Sequence, residues 1–244
     1  MPHHEDNDFS APSQTHTFSA LLFDMDGTLI DSTSAIEKYW HGIGKEISVD
    51  PATILQTSHG RRSIDVLSIL APHLATWDYV CEMEARVPKN FGSDAVEIPG
   101  ARGLLAELEA HGAPWAIVTS GTRGLVTGWL DVMGLAHPEF LVSAEEVKVG
   151  KPDPACYRLG AQRLGKEGVD GSKVLVLEDA PAGVRAGKAA GFKVVALATS
   201  HGVGQLKEAG ADWIVEDMRS VGFRGFEGKN GVVSIEIKNA LVQG

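Results

Sequence analysis

Two aspartates follow a short apolar run near the start of the chain. Asp24 and Asp26 come directly after residues 18–23, and Gly27 and Thr28 complete the group. Ligand sites of open α/β sheets lie at the carboxyl ends of strands, which is where this group would fall. Two carboxyl groups at such a place are suited to nucleophilic and acid–base chemistry. The alternative is an acidic turn without a function, but such a four-residue match arises by chance only about once in 10⁵ positions.

Hydroxyl groups and a lysine follow two later apolar segments. Thr119 and Ser120 precede Gly121, which would let the backbone approach a ligand closely. Taken alone, this run is equally typical of a helix N-cap. Lys151 precedes two closely spaced prolines, which stiffen the turn that holds it. Lys148 is interpreted as a solvated surface lysine.

A pair of adjacent acids, Glu178 and Asp179, comes at the end of another apolar segment. Neighbouring carboxylates repel each other, and a hard divalent cation with oxygen ligands relieves that repulsion. The pair could instead cap a helix beginning at Ala182. The four polar segments follow one another along the chain, and the three later ones are separated by about one βαβ unit each. The sequence therefore favours a metal site over a helix cap.

Short apolar runs alternate with amphipathic stretches along most of the chain. This alternation predicts an α/β fold with a doubly wound, parallel, Rossmann-like sheet, whose strands are joined by right-handed crossovers. The predicted strands are 18–23, 115–118, 140–142, 174–177, 194–197 and 213–215, and the predicted helices are 123–133, 155–164, 182–190 and 203–209. A hairpin near the C-terminus, with residues 222–226 and 233–237, is predicted at the edge of the sheet.

A small helical cap domain is predicted after the first strand. The interval from Asp24 to Ser120 exceeds the later ones by about two βαβ units. Residues 32–98 show few strand signals and contain helical patterns at 35–42, 50–57, 63–70 and 77–90. The core domain would then consist of residues 18–31 and 99–244.

The charge balance limits the kinds of partner. The formal net charge of −10 argues against binding to nucleic acid or to an anionic membrane surface. No apolar run approaches the roughly 18 residues that a membrane span needs. The predicted partner is a small-molecule substrate. An inserted cap gives each chain its own lid, so a monomer would be adequate.

The N-terminal residues 1–17 are interpreted as a flexible tail. They are polar and lack the apolar segment of a secretory signal, and His3 and His4 are not interpreted as a metal site. Cys81 and Cys156 fall in different parts of the predicted fold, which argues against a disulfide framework. A cytoplasmic location is predicted.

The four polar segments resemble the motifs of the haloacid dehalogenase superfamily. The resemblance implies that Asp24 forms an aspartyl-phosphate intermediate and that Asp26 acts first as general acid and then as general base. It also implies that the segment Thr119, Ser120 and Gly121 binds the phosphate, with Ser120 as the first choice, and that Lys151 offsets the charge. The cofactor would be Mg²⁺. Its implied ligands are Asp24, the backbone carbonyl of Asp26, and Asp179, with Glu178 left open between direct and water-mediated binding.

Other stretches of the chain resemble the glycerol-phosphate phosphatase and 2-deoxyglucose-6-phosphate phosphatase group. That likeness implies hydrolysis of a small phosphorylated polyol or sugar, with His59, Gly60, Arg62 and Asp65 as cap residues facing the substrate. Asp65 could instead pair within its helix, and Arg61 is interpreted as solvated. Aromatic residues of the cap are assigned to packing rather than to a stacking site, namely Tyr39, Trp40, Trp77 and Tyr79.

Two other functions stay open at this point. A phosphosugar mutase of the same fold also needs both Asp24 and Asp26, and it would produce an isomer instead of free phosphate. A non-catalytic interaction domain would show degraded catalytic positions, and none is seen. Dehalogenases and ion pumps are disfavoured, because such enzymes lack an acid at the position of Asp26.

Overall fold

A sheet of six parallel strands forms the centre of the molecule. The computed structural model describes residues 7–58 and 60–242. Each strand is short and largely buried, as expected for a parallel sheet covered on both faces. The predicted fold class is confirmed. In spatial order the strands are β6 (Phe140–Val142), β5 (Trp115–Val118), β2 (Ala20–Phe23), β7 (Val174–Glu178), β8 (Lys193–Leu197) and β9 (Trp213–Val215).

Both faces of this sheet are covered by apolar packing. Leu21 and Phe23 belong to one buried cluster, whereas Leu22 between them belongs to the other. This alternation follows from the two-residue repeat of a strand. The connections between the strands contain α6 (Ala101–Ala110), α7 (Arg123–Met133), α8 (Ala155–Arg163), α9 (Pro181–Ala189) and α10 (Val203–Glu208).

A set of five helices, named here the helical insertion, lies between two short strands. These strands, β3 (Ile30–Asp31) and β4 (Val96–Glu97), pair antiparallel and so hold the two ends of the insertion together. The predicted helix over 77–90 is two helices, because Pro88 stands in the first turn of the second one, where a missing N–H is tolerated. The boundaries of a separate cap domain, 32–98, stay a prediction. The helices are α1 (Thr33–Ile47), α2 (Pro51–Ser58), α3 (Ser63–Leu70), α4 (Trp77–Ala85) and α5 (Val87–Phe91).

A second, three-stranded antiparallel sheet corrects two predictions. It consists of β1 (Gln14–Phe18), β10 (Val221–Glu227) and β11 (Val232–Ile237), with β11 in the middle. The predicted hairpin is present, but it does not extend the central sheet. The prediction of a flexible tail is wrong for 14–17, because backbone pairing with β11 orders a polar strand that carries no strong apolar pattern. His3 and His4 lie outside the described residues.

None of the helices in the described part of the chain is both long enough and apolar enough to cross a membrane.

Candidate active site

Asp24 stands at the carboxyl end of β2, where the chain makes a tight turn. The backbone N–H groups of Thr28 and Leu29 both donate to the carbonyl of Met25, at 3.2 and 2.9 Å. Gly27 has a φ of +85°, and a Cβ atom there would lie 2.1 Å from Oδ2 of Asp179. Only glycine therefore allows this turn to pass so close to the acids that follow β7.

Lys151 joins three strand ends at this turn. Its Nζ donates to Oδ1 of Asp24 at 2.5 Å, to Oε1 of Glu178 at 2.7 Å and to the carbonyl of Val118 at 3.2 Å. Burial opposes the charge of the lysine, but the two carboxylates raise its pKa above the usual range. Lys151 therefore keeps its positive charge beside Asp24, the candidate nucleophile.

Three buried carboxyl groups share the site with this single lysine. One oxygen from each of Asp24, Glu178 and Asp179 lies within 4.8 Å of the others. Burial raises the pKa of Asp24 to about 7, opposed by Lys151 and reinforced by Glu178. Burial, followed by the charges of Glu178 and Asp24, also raises the pKa of Asp179. Oxygen ligands with excess negative charge suit a hard divalent cation, so the residues present fit a metal site.

Glu178 is held by protein donors on both of its oxygens. Oε1 accepts from Lys151 and, at 3.0 Å, from the hydroxyl of Tyr157. Oε2 accepts from the backbone N–H groups of Asp179 and Ala180, at 2.9 and 2.8 Å. A Cβ atom at Gly183 would lie 1.5 Å from Oε1, so glycine leaves room for the carboxylate. These contacts favour a role in positioning Lys151 over direct metal binding.

The loop after β5 brings hydroxyl groups to the opposite side of Asp24. Thr119 Oγ1 accepts from the N–H of Gly121 at 3.0 Å, which stabilises the loop. Ser120 Oγ donates to the carbonyl of Gly60 at 3.0 Å. Ser120 thus links the core sheet to the helical insertion at the site.

Asp26 is held in place by Ser32, a residue that was not predicted from the sequence to belong to the site. Ser32 Oγ donates to Oδ1 of Asp26 at 2.5 Å. Burial raises the pKa of Asp26, although the bond from Ser32 and the charge of Lys151 oppose this. A raised pKa favours the protonated carboxyl group, which is the form that can act as a general acid.

A cavity of about 90 Å³ lies between the core sheet and the helical insertion. The insertion contributes Tyr39, Trp40, Ser58, Gly60, Arg61 and Glu84 to its wall. Every core residue predicted for catalysis, phosphate binding or metal binding lines it too, namely Asp24, Asp26, Thr119, Ser120, Gly121, Lys151, Glu178 and Asp179.

The amino-acid sequence is similar to those of known hydrolases. A family model described as haloacid dehalogenase-like hydrolase matches residues 18–191. The chain belongs to this family. It is 39% identical over 221 residues to glycerol-1-phosphate phosphohydrolase 2 of Saccharomyces cerevisiae, with 88% of each chain covered. It is 35% identical over 244 residues to 2-deoxyglucose-6-phosphate phosphatase 1 of the same yeast, with 93% of this chain and 98% of the relative covered. The resemblance to these two groups is thereby confirmed.

A solved structure supports the same fold for this haloacid dehalogenase-like hydrolase. The crystal structure of a hydrolase from Pseudomonas syringae matches with a TM-score of 0.69 at 24% identity. The match covers 82% of this chain and 94% of that one. At this identity the likeness concerns the fold alone.

Arg62 and Asp65 do not face the cavity of this hydrolase, contrary to the prediction. The Arg62 guanidinium donates to both oxygens of Asp65 at 2.8 Å, so the two side chains satisfy each other. It also donates to the carbonyls of Val147 and Lys148, at 2.8 and 3.2 Å, and thereby ties the insertion to the core. Arg61 is exposed to solvent, as predicted, and it also lines the cavity.

The other two cap predictions have different outcomes. Gly60 lines the cavity with a φ of +72°, and its carbonyl accepts from Ser120. His59 lies outside the described residues.

The aromatic residues of the insertion pack in one hydrophobic cluster, as predicted: Tyr39 and Trp40 are buried in it, and Trp77 and Tyr79 pack against it. Tyr39 and Trp40 are in a T-shaped contact, with ring centroids 5.0 Å apart, and both line the cavity. Trp77 lies under Arg62 at 5.8 Å from the guanidinium, and Tyr79 donates to Glu46 at 2.8 Å. Two of these packed residues, Tyr39 and Trp40, therefore also form part of the cavity wall.

Glu84 is a buried acid of α4 that connects the insertion to α7. Its oxygens accept from Ser63 Oγ at 2.5 Å and from the N–H of Thr122, at the start of α7, at 2.7 Å. The sequence offered one signal, an acid on the buried face of an amphipathic helix. Burial raises the pKa of Glu84 to about 7 from 4.5, despite both hydrogen bonds.

This raised pKa predicts a pH dependence of stability. Between pH 4.5 and about 7 the folded protein keeps the Glu84 proton and the unfolded chain has lost it. The contribution of Glu84 to the free energy of unfolding is therefore largest below this window. It falls as pH rises through the window, by up to about 1.4 kcal/mol per pH unit. We expect urea denaturation to show that Glu84→Gln gains stability relative to wild type as pH rises from about 5 to about 8.

A matched control is Glu82→Gln on the same helix, since Glu82 is exposed and pairs with Arg86 at the surface. A constant difference between Glu84→Gln and wild type over the whole pH range would contradict the raised pKa.

Proposed function

We propose that this hydrolase removes phosphate from a small phosphorylated polyol or sugar, with Mg²⁺ as cofactor. The observation that carries the proposal is the convergence of Asp24, Lys151 and Asp179 on one cavity. The names of the relatives, a glycerol-1-phosphate phosphohydrolase and a 2-deoxyglucose-6-phosphate phosphatase, support the substrate class.

The first chemical step transfers the phosphoryl group to the enzyme. An oxygen of Asp24 attacks phosphorus, and the bond between phosphorus and the leaving oxygen breaks. Asp26 gives its proton to that oxygen, so the product leaves as a neutral alcohol. Lys151 offsets the charge that accumulates between the carboxylate and the phosphoryl group.

The second step releases inorganic phosphate. Asp26, now ionised, takes a proton from water, and the water oxygen attacks phosphorus of the aspartyl-phosphate. The bond to Asp24 breaks, which restores the carboxylate. Ser32, which donates to Asp26 at 2.5 Å, positions this proton carrier in both steps.

The remaining site residues bind the phosphate and the metal. Thr119, Ser120 and Gly121 offer hydroxyl and N–H groups on one side of Asp24. Mg²⁺, when bound, would neutralise part of the charge of the phosphate and its nucleophile. Its proposed ligands are Asp24, the backbone carbonyl of Asp26, and Asp179, with Glu178 acting in support.

The helical insertion is proposed to act as a cap over the leaving group, with Gly60 and Arg61 in its loop. A closing cap would exclude water from the phosphoryl group before transfer. Substrate contact by His59, a monomeric state and a cytoplasmic location stay predictions.

Phosphate release from a panel of phosphate esters tests the proposal. We expect the purified protein to release inorganic phosphate from polyol or sugar monophosphates in the presence of Mg²⁺. Release of phosphate should stop when a chelator is added. A mutase would yield an isomerised sugar phosphate without free phosphate. Release from no ester of the panel, with the protein folded by circular dichroism, would contradict the proposed function.

A further inference from the structure

Two buried hydroxyl groups on the cavity wall have no hydrogen-bond partner among the described residues. Tyr39 and Ser58 are each 5% exposed, and both line the cavity. A buried hydroxyl that stays unpaired destabilises a fold, and native proteins contain few of them. A pair in one cavity therefore indicates that a ligand supplies the missing partners.

The neighbouring polar groups do not supply them. Ser63 lies beside Tyr39, but its hydroxyl donates to Glu84 at 2.5 Å. The other oxygen of Glu84 accepts from the N–H of Thr122. The hydroxyl of Ser63 could still accept a hydrogen bond, but neither it nor Glu84 forms one of suitable geometry with the hydroxyl of Tyr39.

The position of the two hydroxyls indicates which part of a substrate they would meet. Tyr39 belongs to α1 and Ser58 ends α2, so both come from the helical insertion. The nucleophile candidate Asp24 and its partner Lys151 come from the core. A phosphate ester bound at Asp24 would present its alcohol part to the insertion.

The size of the cavity limits the alcohol. Its volume is about 90 Å³. Pockets for drug-sized ligands are several times larger, from about 300 Å³. The same cavity also has to hold the phosphoryl group at Asp24, so little room is left for the alcohol and a short one is favoured.

We propose that Tyr39 and Ser58 bind the hydroxyl groups of the leaving alcohol and select short polyol phosphates. This assignment rests on the proposed phosphatase function and adds the residues that set its specificity. Each enzyme hydroxyl can donate to and accept from a substrate hydroxyl. A site built to pair with a substrate hydroxyl discriminates against an analogue that lacks it, because its own buried group is then left unpaired.

The test compares two esters of equal chain length, glycerol phosphate and propyl phosphate, which lacks free hydroxyls. The measured quantity is the ratio of kcat/KM for glycerol phosphate to that for propyl phosphate. We expect Tyr39→Phe and Ser58→Ala each to lower this ratio about tenfold, the effect of one neutral hydrogen bond.

Matched controls are Tyr79→Phe and Ser68→Ala, which remove hydroxyls outside the cavity. The hydroxyl of Tyr79 donates to Glu46, and that of Ser68 to the carbonyl of Ile64 within α3. We expect both control variants to keep the wild-type ratio.

Three outcomes would overturn the assignment. An unchanged ratio in Tyr39→Phe and Ser58→Ala, including an equal loss on both esters, would show that the hydroxyls do not contact the alcohol. Faster release from a hexose phosphate than from glycerol phosphate would contradict selection of short chains. Release from no phosphate ester would contradict the proposed function itself, and the assignment with it.

Discussion

Replacing Asp24 with asparagine is expected to lower the rate of phosphate release by at least about 10³-fold, because an amide cannot serve as the phosphoryl acceptor. The shape of the side chain is kept, and its Oδ1 can still accept from Lys151, which donates to Asp24 at 2.5 Å. The fold should therefore survive. Rates of phosphate release with Mg²⁺ and circular dichroism spectra measure the two effects.

Asp31→Asn is the matched control for this variant. Asp31 is the last residue of β3, and its Oδ1 accepts from the N–H of Thr33 at the start of α1. It does not line the cavity, so activity should stay close to that of the wild type. Equal rates in wild type and Asp24→Asn would show that another group accepts the phosphoryl group.

Replacing Lys151 with methionine is expected to reduce both activity and stability. The lysine is the cation between two buried carboxylates, Asp24 and Glu178. Loss of one partner of a buried ion pair destabilises a fold by about 3 kcal/mol, because the remaining charges are left uncompensated. Loss of charge stabilisation at the phosphoryl group should lower kcat/KM by about 10²-fold or more. Urea denaturation and phosphate release measure the two changes.

The control for Lys151→Met is Lys148→Met in the same loop. The side chain of Lys148 is exposed, so its loss should leave both stability and kcat/KM near the wild-type values. If Lys151→Met also matched the wild type in both measurements, the lysine would have no part in the site.

The core half of the site was predictable because each of its residues follows an apolar run. Asp24, Ser120 and Asp179 lie close together since β2, β5 and β7 are adjacent parallel strands, whose carboxyl ends meet at one edge of the sheet. Recognition of the strands therefore sufficed to place them. Glu178 was recognised by the same rule, but its engagement with Lys151 and Tyr157 depends on distant chain segments.

The insertion half of the site was predicted less well. Arg62 was expected to face the substrate, but Arg61 lines the cavity, because the turn at Gly60 and the bonds from Arg62 to Asp65 and Val147 set the direction of each side chain. The strand β1 was missed for a related reason. Its residues are mostly polar, and only backbone pairing with β11 orders them.

The amino-acid sequence by itself determined the α/β fold, the family and the residues at the ends of the central strands. These features depend on patterns that extend over a few residues: an apolar run, a polar group after it, and regular βαβ spacing. Tertiary structure decided which side chains of the insertion reach the cavity, including Tyr39, Ser58 and Glu84. The orientation of a helix or loop over a sheet depends on packing between segments far apart in the chain, which no local pattern specifies.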